Sequence, residues 1–198
     1  MKYKTIKKLG KSEKIFKNSI FLGYASPINN EEEAKKFISS IKSHHSDATH
    51  IVYAYLIKSN FAMKYCDDGE PAGSSGKPII NIIEHKNLKD IVVVVVRYYG
   101  GTKLGYGGLV KAYGDTAKEA IDDSGIIEIF EKEYFEIIIP YNLLNAVMKI
   151  LQNETIINED YSEIVKLTVG IKKESIEEIK NKLINNTKGN IKIAVKNR

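Results

Sequence analysis

Residues 67–78, Asp67-Asp68-Gly69-Glu70-Pro71-Ala72-Gly73-Ser74-Ser75-Gly76-Lys77-Pro78, place three carboxylates within four residues, followed by two serines and a lysine. Clustered carboxylates suit Mg²⁺ or Ca²⁺ and can supply a general base, and they equally make a charged turn. The spacing is not that of an EF-hand, which leaves the metal unassigned. Residues 97–111 present Arg97, Tyr98, Tyr99, Lys103, Lys111 and the glycines Gly100, Gly101, Gly105, Gly107 and Gly108. Glycines at this density let the backbone approach a ligand closely and point successive N–H groups into one concavity. The start of a following helix would add its partial positive charge, so the expected chemistry is an anion cradle. Lysine supplies nearly all of the chain's cations, and Arg97 and the terminal Arg198 are its only arginines. An arginine inside an apolar strand pattern implies a need for the planar fork, toward a phosphate or toward Asp67, Asp68 or Glu70.

Other chemistry is excluded or left incomplete by spacing. Gly69 and Gly76-Lys77 are too far apart for a phosphate-binding P-loop, and Pro78 stands where that loop needs Ser or Thr. Gly105-Tyr106-Gly107-Gly108 lacks the third glycine of a dinucleotide fingerprint. Ser74 and Ser75 lack a nucleophile elbow, and Cys66 has no activating partner in sequence. His44 and His45 point apart at a helix end. His50 opens a strand, and either faces the loops or stands as a core or edge histidine.

These loops need elements to hold them. Asp90 to Tyr99 contains Ile91 and five consecutive valines. A run apolar at both parities predicts a central strand covered on both faces. It delivers Arg97 and the glycines to its carboxyl end, and a helix follows from Leu109 through Tyr113, Thr116 and Ala120, closed near Gly125. A strand is expected over 14–26, and a helix capped by Asn29 or Asn30 with Glu31-Glu32-Glu33 in its first turn. Thr49–Ser59 reads as strand, 66–78 as loop, and 78–88 as a helix with Pro78 at its first position. Beyond about 130 the pattern predicts a strand over 134–140, a helix over 141–153, strands over 155–160 and 163–170, a helix over 174–186 and a strand over 190–196. That βαββαβ order is ferredoxin-like. The expected organisation is α+β, in two domains of residues 1–130 and 131–198, with the chemistry in the first.

The 198 residues carry 30 Lys+Arg against 25 Asp+Glu, and the excess is concentrated in residues 1–17, which hold seven lysines and one acid. Such a segment attracts anionic partners, or is an edge strand guarded by lysines. Apolar content of 43% supports an ordinary core, and no apolar run approaches the length of a membrane helix. One cysteine excludes a disulfide framework. A soluble, cytoplasmic protein without a membrane partner is expected.

The two loop segments, extended to Val94-Val95-Val96-Arg97-Tyr98-Tyr99-Gly100-Gly101-Thr102-Lys103-Leu104-Gly105-Tyr106-Gly107-Gly108-Leu109-Val110-Lys111-Ala112-Tyr113-Gly114, resemble the signatures of the IMPACT/YigZ family, with Ala48-Thr49-His50 resembling a third motif. Ile20, Ile51-Val52 and Cys66 depart from the usual residues at their positions. The resemblance implies an N-terminal domain like the second domain of a small-subunit ribosomal protein and a C-terminal domain like those of elongation factor G. It also implies a role in translation, since eukaryotic relatives compete for the activator of a stress-responsive initiation-factor kinase. The function expected is a translation-associated regulatory protein that binds RNA or ribosomal components through Lys77, Arg97, Tyr98, Tyr99, Lys103, Lys111 and the glycines, without catalysis or cofactor. Asp67, Asp68, Gly69, Glu70, Ser74 and Ser75 form the facing acidic loop. The alternatives are an enzyme acting on a small anionic substrate with carboxylate-bound metal, and a protein–protein regulator of translation initiation.

Overall fold

The computed structural model describes residues 2–196, so Arg198 lies outside the described residues. The chain divides into two compact units, Tyr3–Ile129 and a second from Phe130 onward. The first contains strands β1 (Lys2–Ile6), β2 (Gly10–Phe16), β3 (Ser19–Pro27), β4 (His50–Leu56), β5 (Met63–Cys66), β6 (Ile91–Tyr98) and β7 (Ile126–Phe130). Its helices are α1 (Glu31–His44), α2 (Gly76–His85) and α3 (Gly105–Ser124). A five-stranded sheet runs β2-β3-β6-β4-β5, and β1 pairs with β7 in a two-stranded ribbon. All four pairings within the large sheet are antiparallel.

The valine run occupies the middle of this sheet. Ile91, Val93 and Val95 pack with Ile79 and Ile83 of α2 and Leu109, Ala117 and Ile121 of α3. Val92, Val94 and Val96 pack on the opposite face with Ala34, Ile38 and Ile41 of α1. Strand alternation therefore sends Arg97 to the α3 face and Tyr98 to the α1 face.

Several expectations are corrected. The strand expected over 14–26 is a hairpin, β2–β3, because Lys17 and Asn18 take positive φ of 45° and 66° and reverse the chain. β2 is an edge strand guarded by lysines, with Lys14 Nζ 3.0 Å from Glu119 of α3. Residues 63–66, expected partly outside any element, form the other edge strand. Helix α2 begins at Gly76, with Pro78 two residues inside it, a position where the first-turn N–H has no helical acceptor to lose. Asn30 caps α1, its Oδ1 accepting from the Glu33 N–H at 2.9 Å. Gly105, Gly107 and Gly108 are the first turn of α3 and not loop.

The second unit contains β8 (Lys132–Ile139), α4 (Leu144–Ile150), β9 (Thr155–Tyr161), β10 (Val165–Lys172), α5 (Ile176–Asn186) and β11 (Lys192–Val195). Its antiparallel sheet has the order β11-β8-β10-β9, the ferredoxin-like arrangement. Phe135, Ile137, Leu167 and Val169 on the sheet pack with Val147 of α4 and Ile179 and Leu183 of α5 in a separate core.

Helix α3 lies so close to β2 that a Cβ added at Gly10 would run into the Ala120 carbonyl and stand 2.6 Å from the Ser124 nitrogen. Both obstacles are backbone and cannot rotate away. Gly10→Ala is expected to lower stability by about 1–3 kcal/mol, read as a lower urea midpoint at unchanged slope.

Candidate functional site

The loop after β5 is built around its own acids, and the three carboxylates diverge. Asp67 accepts from Gly73 N at 2.8 Å, Gly76 N at 2.8 Å, Ser75 N at 3.2 Å and Ser75 Oγ at 2.7 Å, so it staples the loop and caps α2. Asp68 turns back to β4, where Oδ2 accepts from the Ile51 N–H at 2.6 Å. Glu70 enters the interior. Among the described residues no three His, Cys, Asp or Glu side chains are grouped to hold a metal ion. Gly69 takes a φ of 86° beside the His50 ring. The buried Ser74 hydroxyl has no hydrogen-bond partner among the described residues.

Glu70 meets the end of β6. Its Oε1 accepts from Arg97 Nη1 at 2.6 Å and from the Tyr113 hydroxyl at 2.7 Å. Arg97 is 5% exposed and Glu70 8%. Nη2 of Arg97 donates to Ser19 Oγ at 3.4 Å, and the guanidinium lies over the rings of Phe21 and Tyr99 at 5.4 and 5.3 Å. Burial, reinforced by the Glu70 carboxylate, holds the Tyr113 hydroxyl well above the ordinary phenol range and keeps it a donor. Of the partners open to Arg97 in sequence, the geometry selects the acid: Arg97 is not a free anion-binding cation.

The two loops do close on each other. Glu70 joins them through Arg97, and the Tyr106 hydroxyl donates to the Gly73 carbonyl at 3.3 Å. Between them lies a cavity of about 490 Å³ lined by Thr49, His50, Glu70, Pro71, Arg97, Tyr99, Lys103, Leu104, Gly105, Tyr106 and Leu109. His50 points here, its Nδ1–H donating to the Asp68 carbonyl at 2.8 Å and its Nε2 standing 3.9 Å from Glu70 Oε1. Lys77, Lys103 and Lys111 are exposed, but only Lys103 lines the cavity. Tyr99 and Tyr106 stand 45% and 57% exposed at its rim.

Tyr98 does not belong to this group. Its hydroxyl sits 2.9 Å from His45 Nδ1 and donates to Asp47 Oδ1 at 3.2 Å, on the α1 side of the sheet. His45 Nε2 in turn meets the Tyr24 hydroxyl at 2.9 Å. Gly100 is fixed by structure, since a Cβ there would strike the Asn18 backbone. Gly101 and Gly105 take φ of 82° and 72°, which turns the chain into α3. That helix has no side-chain cap and no acid in its first turn. Sequence reasoning missed Thr49, Leu104, Leu109 and Tyr113. Tyr113 left a signal, because a tyrosine on the buried face of α3 needs a polar partner.

An α+β protein with an antiparallel five-stranded unit, a ferredoxin-like unit and one cavity between two glycine-rich loops is the class these features define. Residues 17–121 match the Impact N-terminal domain, and residues 137–190 match a Domain of unknown function (DUF1949). The chain is 42% identical over 127 residues to the IMPACT family member YvyE of Bacillus subtilis, covering 64% of this chain and 58% of that one. It is 32% identical over 182 residues to the IMPACT family member YigZ of Escherichia coli, covering 89% of each. A crystal structure described as that of a hypothetical protein superposes with a TM-score of 0.67 at 29% identity, covering 100% of this chain and 98% of the other. The chain belongs to the IMPACT family.

Two outcomes follow from the acids of the loop after β5. Truncating Arg97 leaves Glu70 buried without its cation, so Arg97→Ala is expected to lose about 3–5 kcal/mol in urea denaturation, while Tyr99→Ala at the rim loses far less. Burial pushes the Asp67 carboxyl up, but hydrogen bonds from Gly73, Ser75 and Gly76 outweigh it and hold the group below its ordinary value. A depressed folded pKa stabilises above the unfolded value and is lost as pH falls through the folded one. Asp67→Asn is therefore expected to be about 1–2 kcal/mol less stable than wild type at neutral pH, with the gap closing below about pH 4 in thermal melts.

Proposed function

We propose that this protein is a translation-associated regulator whose first unit binds single-stranded RNA at the cavity rim without catalysis. The observation that carries the reading is the uncapped start of α3 beside Lys103, flanked by Tyr99 and Tyr106. A twenty-residue helix presents its unpaired first-turn N–H groups and partial positive charge there, and Lys103 makes no ion pair among the described residues. A phosphate fits that corner, and half-exposed tyrosines give bases a surface on which to stack. Membership of the IMPACT family supports the setting in translation. The carboxylates that a metal-dependent enzyme would use are spent on α2, on β4 and on Arg97, which favours binding over turnover.

Fluorescence anisotropy with a labelled single-stranded RNA of mixed sequence tests this. Affinity is expected to fall steeply with salt, and Lys103→Ala to reduce the slope of log K against log salt by about 0.7. Tyr106→Ala is expected to cost about 1–3 kcal/mol of binding. Binding that ignores salt and both substitutions would overturn the proposal.

A further inference from the structure

The cavity floor bears an acceptor pair that the rim reading does not use. The Asp68 carbonyl can only accept, so its 2.8 Å contact fixes the proton on His50 Nδ1. In its neutral form the ring then keeps a lone pair on Nε2. Among the described residues the acid oxygen facing it is Glu70 Oε1 at 3.9 Å, beyond hydrogen-bond reach. Glu70 Oε1 already accepts from Arg97 and Tyr113. The acceptor left open on that carboxylate is therefore Oε2, which takes no hydrogen bond among the described residues, and Glu70 and His50 both belong to the cavity lining. The lining also includes the apolar Pro71, Leu104 and Leu109 and the aromatic Tyr99 and Tyr106, with Thr49, Arg97, Lys103 and Gly105 completing it. About 490 Å³ is within the usual range for a small-ligand site and holds one planar ring system.

Among the bases, only guanine carries two adjacent donors on its pairing edge, the ring N1–H and the N2 amino group. Adenine and cytosine each offer one donor beside a bare ring nitrogen, which would face the Glu70 carboxylate with a lone pair. Uracil places its single N–H between two carbonyl oxygens. We propose that the cavity selects guanine, His50 Nε2 and Glu70 accepting from N1–H and N2–H₂, with the ring between Tyr99 and Tyr106 and its phosphate toward Lys103 and the start of α3. The ligand is a guanosine phosphate, free or as an unstacked residue of RNA. The second source rests on the RNA reading above.

Calorimetric titration of the full chain with GMP, IMP and AMP tests the selection on unaltered protein. IMP keeps N1–H and lacks the 2-amino group, so it is expected to bind about tenfold more weakly than GMP, with AMP weaker still. His50→Leu is expected to remove the preference for GMP, and circular dichroism establishes that the variant is folded. Anisotropy with G-containing and G-free oligonucleotides separates the sources. Tight GMP binding without RNA binding supports the free nucleotide and sinks the RNA proposal alone. RNA binding indifferent to guanine, with GMP, IMP and AMP equal or unbound, overturns the guanine site and leaves the RNA proposal standing.

Discussion

The buried contact between Glu70 and Arg97 is the constraint on which the site depends. A central strand that is apolar for six residues ends in a guanidinium that is itself enclosed, and such a charge is tolerable only with a partner and aligned hydrogen bonds. Glu70 neutralises it and is itself held by the Tyr113 hydroxyl, Ser19 adds a polar contact, and Phe21 and Tyr99 cover its faces. The five partners come from four places in the chain: the loop after β5, strand β3, helix α3 and the segment after β6. Replacing such a pair with well-packed apolar residues is often no loss of stability, so its value lies in register. It fixes which part of the carboxylate loop meets which part of the glycine segment.

That commitment decides where free charge remains. Once Arg97 and Glu70 cancel, positive potential at the cavity comes from Lys103 and the first turn of α3. The two helices that approach the region are treated differently. At α2 the N-terminus is filled by Asp67, whose carboxylate takes the Ser75 and Gly76 N–H groups. At α3 the first turn is glycine-rich, uncapped and free of acids. A protein carboxylate thus does at one helix what a ligand phosphate is suited to do at the other.

Much of the fold was legible because its signals were periodic. The valine run and the helical spacing from Leu109 onward identified the central strand and its packing helix, and the second unit was readable in its full βαββαβ order. The errors fall where local chemistry overrides pattern. Lys17-Asn18 reverses the chain without a glycine, so the β2–β3 hairpin read as one strand. A glycine run that enters a helix looked like loop, and Pro78 looked like a helix start although it sits inside the first turn. At the site, the meeting of the two loops was an expectation and not a consequence of composition, and the particular partnerships were not legible. Asp67, Asp68 and Glu70 are neighbours in sequence and serve three different elements, because tight turns at Asp68 and Gly69 aim successive side chains apart. Tyr98 could have been separated from Arg97 by strand alternation alone.

The same alternation explains how one sheet supports two polar assemblies without interference. Arg97 and Tyr98 are consecutive, yet the first is locked to Glu70 under α3 and the second joins Tyr24, His45 and Asp47 under α1. Tyr98 donates to Asp47, so its oxygen is free to accept the His45 Nδ1–H, which leaves Nε2 to accept from Tyr24. Both His45 nitrogens and both tyrosine hydroxyls have partners and none of these residues lines the cavity, which gives the chain the character of a pin between α1 and the sheet. On the opposite face His50 has one nitrogen satisfied and one open to a void of ligand size. A satisfied histidine rigidifies, whereas one left half satisfied beside a cavity retains capacity for a ligand, and that difference favours the α3 face of the sheet for the proposed site.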